Sequence, residues 1–160
     1  MIDSHPAHGR YSLRDLKDDD EFWMWPVVRD TFRPYVEPLF GWDEDVARWF
    51  FDKNWRKRRI VMVDGCDAGW LELASEARWL YINEIGLLPA YRNQGVGGQI
   101  ISDVNAYADA HGFAVELAVL LNNPAIRLYE RMGFHQTNIR MHRPARGTSA
   151  ELTGRDQGET

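Results

Sequence analysis

Cysteine is nearly absent from this chain. Cys66 stands alone among 160 residues, so no intrachain disulfide can form. That suits a reducing compartment, and a cytoplasmic location is expected. Long apolar runs are missing as well. No stretch approaches the ~18 residues of a membrane span, and Met1 to Arg10 lacks the apolar segment of an export signal. Excess positive charge is also lacking. Lys and Arg total 19 against 24 Asp and Glu, a net charge of −5 without a long basic run. This argues against nucleic acid as a partner and is compatible with a small cationic substrate. No metal is expected, and no internal repeat is visible.

Apolar residues make up 44% of the chain, with seven Trp, enough to build one cored domain. Residues 1–10 read as a flexible leader, 11–143 as the folded domain, and 144–160 as a mobile tail poor in apolar side chains. A short strand is expected over Tyr11–Leu16. A helix follows over Glu21–Phe32, kinked or restarted at Pro26. Arg33–Asp45 reads as an aromatic and acidic loop broken by Pro34, Pro38 and Gly41. A second helix spans Glu44–Trp55, and the basic run Arg56–Arg59 reads as solvated cations at its C-terminus. Strands are expected at Ile60–Val63, Ala68–Ala74 and Trp79–Leu88, the first two joined by a turn at Asp64-Gly65.

The informative stretch is Tyr91-Arg92-Asn93-Gln94-Gly95-Val96-Gly97-Gly98. It lies between the Trp79–Leu88 strand and a helical pattern carrying Ile100, Ile101, Val104 and Ala108 on one face. A glycine-rich turn there leaves backbone N–H groups unpaired and open to an anion, with the helix dipole aligned to it. A Walker A loop is excluded because no Lys follows the glycines. A dinucleotide fingerprint lacks its third glycine, since Ile100 holds that place, although Glu116 has the spacing of a ribose-binding acid. A third pattern, [Q/R]-x-x-G-x-[G/A], matches Arg92 to Gly97. After the helix, Gly112 marks a stop, and Ala114–Leu121 reads as a strand parallel to Trp79–Leu88. Then comes Asn122-Asn123-Pro124-Ala125-Ile126-Arg127-Leu128-Tyr129-Glu130-Arg131-Met132-Gly133-Phe134, a capped helix ending at Gly133, and a closing strand over Phe134–Arg143.

These two segments, in this order, resemble the two signatures of the GCN5-related N-acetyltransferases. The resemblance covers roughly residues 79–142. It implies an α/β (α+β) single-domain fold, with a mixed, mostly antiparallel sheet of six to seven strands flanked by helices on both faces. It implies acetyl-coenzyme A as cofactor and transfer of acetyl to a primary amine of a small molecule or peptide, in a ternary complex. Backbone groups of Leu87 and Leu88 would pair with the pantetheine arm, and an N–H near Leu87 would face the thioester oxygen. Asn93, Gln94, Gly95, Val96, Gly97 and Gly98 would hold the pyrophosphate, with Arg92 as an ion-pair partner. Asn122 and Ala125 would contact the arm, and Tyr129 would be the general acid beside the sulfur.

The base stays open. Glu84 lies on the strand before the loop, on the face opposite Asn83 unless a bulge re-aims it, and a cross-strand salt bridge is its structural alternative. His135 and His142 are further candidates. In the family's ribosomal-protein N-terminal acetyltransferases the base would fall at Leu117 here, a departure from that subfamily. Phe32, Tyr35, Trp42 and Asp43 are expected to line the acceptor pocket through cation–π and ionic contact. Equally, Asp43 could cap the second helix and the aromatics could be core. Two other functions stay open: an acyl-coenzyme A-binding module without transfer, and a dinucleotide-dependent enzyme. A homodimer is compatible with the sequence.

Overall fold

A computed structural model describes residues 9–137 and 140–143. The expected tail, residues 144–160, and most of the expected leader lie outside the described residues. The elements run β1 (Ser12–Arg14), α1 (Asp20–Phe40), α2 (Glu44–Asn54), β2 (Arg58–Val63), β3 (Cys66–Glu76), β4 (Trp79–Leu87), α3 (Val96–His111), β5 (Ala114–Ala118), α4 (Ile126–Arg131), β6 (His135–Thr137) and β7 (Arg140–Arg143). Seven strands form one sheet in the order β1-β2-β3-β4-β5-β7-β6. Every pairing is antiparallel except β4–β5, which is parallel and joined by the crossover helix α3. The β2–β3 turn uses Asp64 (φ 50°) and Gly65 (φ 77°), the two left-handed positions that a tight hairpin requires.

Alternation along the strands sorts the apolar residues into two layers. On one face Val61, Leu71, Leu80, Ile82, Val115 and Leu117 meet Ile100, Ile101, Val104 and Ala108 of α3 and Tyr129 of α4. On the other, Ile60 and Trp70 meet Met24 and Val28 of α1 and Phe51 of α2. Helices therefore flank both faces. Trp70 packs flat on β4 at Gly86, where a Cβ would lie 2.2 Å from the indole ring. Arg14 in β1 grips Asp20, the first residue of α1, at 2.7 Å and Asp67 at 2.6 Å, fixing the helix to the sheet edge. The Arg14 hydrogen bonds hold the Asp20 carboxyl down to about 2.

Three sequence expectations need correction. Arg33–Asp45 is not a loop: α1 runs unbroken through Pro26, Pro34 and Pro38 to Phe40, leaving only Gly41–Asp43 as connection. Val28, Phe32, Val36 and Phe40 recur every four residues on its inner side, so burial and a cavity wall outweigh the lost N–H bonds. The second correction concerns Arg58. Its strand begins two residues earlier than Ile60, and alternation turns Arg58 inward beside Ile60, where it is 2% exposed rather than solvated. Third, β5 ends at Ala118, short of Leu121, which is exposed.

Candidate active site

The β3–β4 register jumps from Glu72↔Glu84 to Leu73↔Ile82, so Asn83 is an extra residue on β4. Leu80, Ile82, Ile85 and Leu87 all pack with the α3 layer. Asn83 and Glu84 must then both face α1 and α2, which is the work of a β-bulge. The same bulge precedes the end of the parallel ladder. Pairing of β4 with β5 stops at Ile82↔Leu117, and residues 83–87 of β4 have no ladder partner on that side among the described residues. A gap opens there between two strands that run side by side only at their start.

Backbone polarity in the gap follows from the ladder. Leu88 N–H donates to Ala68 carbonyl on β3 (2.8 Å), so Leu88 is not free to bind an arm as the sequence suggested. Leu87, one residue back, turns its N–H and C=O the other way, into the gap. Its carbonyl accepts from Arg92 Nε (2.8 Å), and Arg92 Nη2 reaches Thr31 Oγ1 on α1 (3.2 Å). The expected pyrophosphate partner Arg92 is thus committed to tying the turn to α1 and β4. Leu87 retains its N–H.

The turn itself has the expected form. Asn93 (φ 59°) and Gly95 (φ 83°) adopt left-handed backbone, and α3 begins at Val96. Gln99 is the first amide bonded back into the helix, to Gly95 carbonyl (3.0 Å). The N–H groups of Val96, Gly97 and Gly98 therefore have no intrahelical acceptor, and the positive end of a 16-residue helix stands behind them. Gln94 instead folds its side-chain amide onto Ala90 carbonyl. Small residues bring three elements together here: a Cβ on Gly97 would lie 3.8 Å from Leu87, and one on Gly98 would lie 3.9 Å from Leu128 of α4. One residue unforeseen from sequence joins them. Arg10 Nη1 would sit 3.1 Å from a Cβ on Gly95, which places a guanidinium over the turn.

Tyr129 on α4 is 9% exposed, its ring 6.0 Å from that of Phe134. Burial pushes its phenol up to about 12, so it is a protonated, neutral donor across physiological pH. Asn123 Oδ1 accepts from Ala125 N–H (2.9 Å) and shapes the turn into α4. Asn122 projects its amide to Tyr35 carbonyl on α1 (2.9 Å), bridging the two halves of the fold.

On the α1/α2 face a cavity of about 690 Å³ adjoins the bulge. Of the expected acceptor residues, Phe32, Trp42 and Asp43 line it and Tyr35 does not. Asp43 also caps α2, accepting from Val46 N–H (3.0 Å), and Trp42 Nε1 donates to Glu44 (2.7 Å). Asn83 and Glu84 line the cavity together, and Ala118 of β5 brings its edge to the inter-strand gap. Both structural alternatives raised for Glu84 and Asp43 are realised without removing either from the cavity. Glu84 forms a two-point pair with Arg58, Nε to Oε2 at 2.8 Å and Nη2 to Oε1 at 2.9 Å. Arg58 also donates to Phe51 carbonyl (2.9 Å) and stacks on the Phe51 ring at 4.6 Å.

The match to known proteins decides the family. A model of the acetyltransferase (GNAT) family matches residues 12–134. The chain belongs to that family. An uncharacterised N-acetyltransferase of Methanocaldococcus jannaschii is 27% identical over 150 residues, covering 81% of this chain. The chain spans 62% of that relative's length. Among solved structures, a PaiA N-acetyltransferase from Thermoplasma acidophilum in complex with coenzyme A is 15% identical with a TM-score of 0.64. It covers 84% of this chain and 98% of its own. The ribosomal-protein-S18-alanine N-acetyltransferase of Escherichia coli is 18% identical, TM-score 0.58, covering 89% and 97% of the two chains.

As a GNAT chain, the molecule leaves no room for the dinucleotide alternative. Among the described residues its sheet has a single parallel pair rather than a doubly wound parallel core, and Ile100 at the third glycine position is fully buried. Four site residues escaped the sequence reading: Arg10, Arg58, Glu72 and Asn83. Arg58 was read as a solvated cation of its basic run, Arg10 as the end of the leader and Glu72 only as part of a strand. For Asn83 the signal was the bulge, visible only once register is known. Among the described residues no helix is long and apolar enough to cross a membrane.

Proposed function

We propose that residues 11–143 form an acetyl-coenzyme A-dependent N-acetyltransferase domain acting on a primary amine. The observation that carries this reading is the meeting of three features at one place: unpaired amides at the start of α3, the open edge of β4, and Tyr129 on the adjoining α4. The donor substrate supplies an acetyl group as an activated thioester. Amides of Val96, Gly97 and Gly98, with Asn93, Gln94 and Gly95 shaping the turn, suit its diphosphate, and Arg10 adds a cation. The gap beside β4 suits the extended arm, with Asn122 and Ala125 on its far side.

An amine with a free pKa near ~10 must lose a proton before it attacks. Glu84, at the cavity wall, takes that proton directly or through water. The nitrogen then forms its bond to the acetyl carbon as the carbon–sulfur bond breaks. Leu87 N–H, pointing into the gap, is the donor for the oxygen that gains charge. Tyr129 O–H protonates the departing sulfur; the nitrogen gives up its second proton as the amide forms, which restores the phenol, and the proton first taken by Glu84 passes to solvent, so one proton is released per turnover.

Thiol release from acetyl-coenzyme A, followed with a panel of monoamines, polyamines, aminoglycosides and peptide N-termini, tests the reading. At least one amine should give saturable, enzyme-dependent release. Coenzyme binding with no turnover on any amine would contradict transfer.

A further inference from the structure

The acceptor cavity says more about its occupant than that it is an amine. We infer that it takes a monoamine carried on an apolar body of aromatic size. The inference rests on the acetyltransferase reading for the fate of the nitrogen, and on the cavity alone for the shape of the molecule.

One end of the cavity is polar. Asn83 Nδ2 donates to Glu72 Oε1 at 3.0 Å. Glu72 is 2% exposed, and burial raises its carboxyl above the ordinary value against the opposing Asn83 hydrogen bond. Asn83 and Glu84 line this end side by side, a polar seat for one N–H-bearing nitrogen. The remaining walls are mostly apolar, with Phe32, Val36 and Phe40 from α1 and Val46 and Phe50 from α2. Phe40, Val46 and Phe50 are 75%, 50% and 53% exposed, unusual for large apolar side chains grouped at one opening. A bound apolar group would cover them. A cavity of about 690 Å³ accommodates such a group with space to spare.

The charges argue against a polycation. Glu84 is neutralised by Arg58. Arg29, also on the wall, is paired with Asp30 at 2.8 Å and Glu44 at 3.6 Å. Asp43 alone remains for a second ammonium, and it is exposed and already caps α2. An exposed carboxylate of that kind contributes little. Ethylamine would fill only the polar end; 2-phenylethylamine would fill both; spermidine would bring charges that the walls do not answer.

Kinetics with these three amines and acetyl-coenzyme A, together with calorimetric titration of each amine into the full chain, test the proposal. 2-Phenylethylamine should exceed ethylamine in kcat/KM on the order of 10²-fold, with spermidine no better than ethylamine. It should also give a binding isotherm with the protein alone. Val36→Trp, which fills the apolar part, should reduce the preference to a few-fold. Spermidine as the best substrate, a ratio near one, or a preference unchanged in Val36→Trp would overturn the proposal. So would a protein that binds acetyl-coenzyme A but neither binds nor acetylates 2-phenylethylamine. If the amine binds and acetyl-coenzyme A does not, the cavity assignment stands and the acetyltransferase reading fails.

Discussion

Arg58→Ala is expected to lose about 3–5 kcal/mol of folding stability. The side chain of Arg58 is wholly buried, and Glu84 is 17% exposed. Truncation strips Glu84 of both guanidinium bonds, removes the donor to Phe51 carbonyl and empties the space against the Phe51 ring. The remaining carboxylate then sits at an apolar wall without a cation. For a chain of this size the loss corresponds to a fall in Tm of roughly 6–20 °C. Denaturant unfolding of Arg58→Ala, Glu84→Ala and the double variant separates the terms. The double variant should cost clearly less than the two single losses added, because no charge is left unpaired. A single Arg58→Ala loss below about 1 kcal/mol would place the pair among weak surface bridges.

Tyr129→Phe is expected to lower kcat on the order of 10²-fold or more while leaving the fold intact. The substitution keeps the ring that packs near Phe134 and deletes only the hydroxyl. Because burial raises the phenol to about 12, above its ordinary value of 10, ionisation of Tyr129 cannot limit the rate at neutral pH. The wild-type kcat should therefore show no loss from this group until pH rises well past 10, and Tyr129→Phe should be slow throughout. KM for acetyl-coenzyme A should change little if the hydroxyl acts on the departing sulfur alone. An unchanged kcat would reduce Tyr129 to a packing residue and would favour a chain that binds the coenzyme without using it.

What could be read from the sequence, and what could not, follows the range of the interactions involved. The glycine turn was legible because Gly95 and the flanking helix pattern constrain backbone locally: left-handed φ, a helix start and unpaired amides all follow from a few adjacent residues. The hairpin at Asp64-Gly65 was legible for the same reason, as was Gly112 at the end of α3. α1 was misread because Pro34 and Pro38 are strong local breakers. Their effect is outweighed by the stripe of Val28 and Phe32, which pack into the core, and Val36 and Phe40, which wall the cavity. Arg58 was missed for a related reason. In a run of four basic residues each looks solvated, and nothing local reveals that Glu84, 26 residues on, waits for one of them. The direction of Glu84 itself depended on the Asn83 bulge, a property of the β3–β4 register. Arg92 shows the converse error: the motif marks it for an anion, while the fold turns it to Leu87 carbonyl and Thr31.

The central claim is that the amides opening α3 and the open edge of β4 together hold a coenzyme thioester. Calorimetric titration of the full chain with acetyl-coenzyme A, and in parallel with S-acetylpantetheine, addresses it most directly, since the second compound keeps the thioester arm and lacks the diphosphate. The account predicts saturable one-to-one binding of acetyl-coenzyme A and a loss of on the order of 10²-fold or more in affinity without the diphosphate. Equal affinity for the two compounds, or no heat with either, would contradict it.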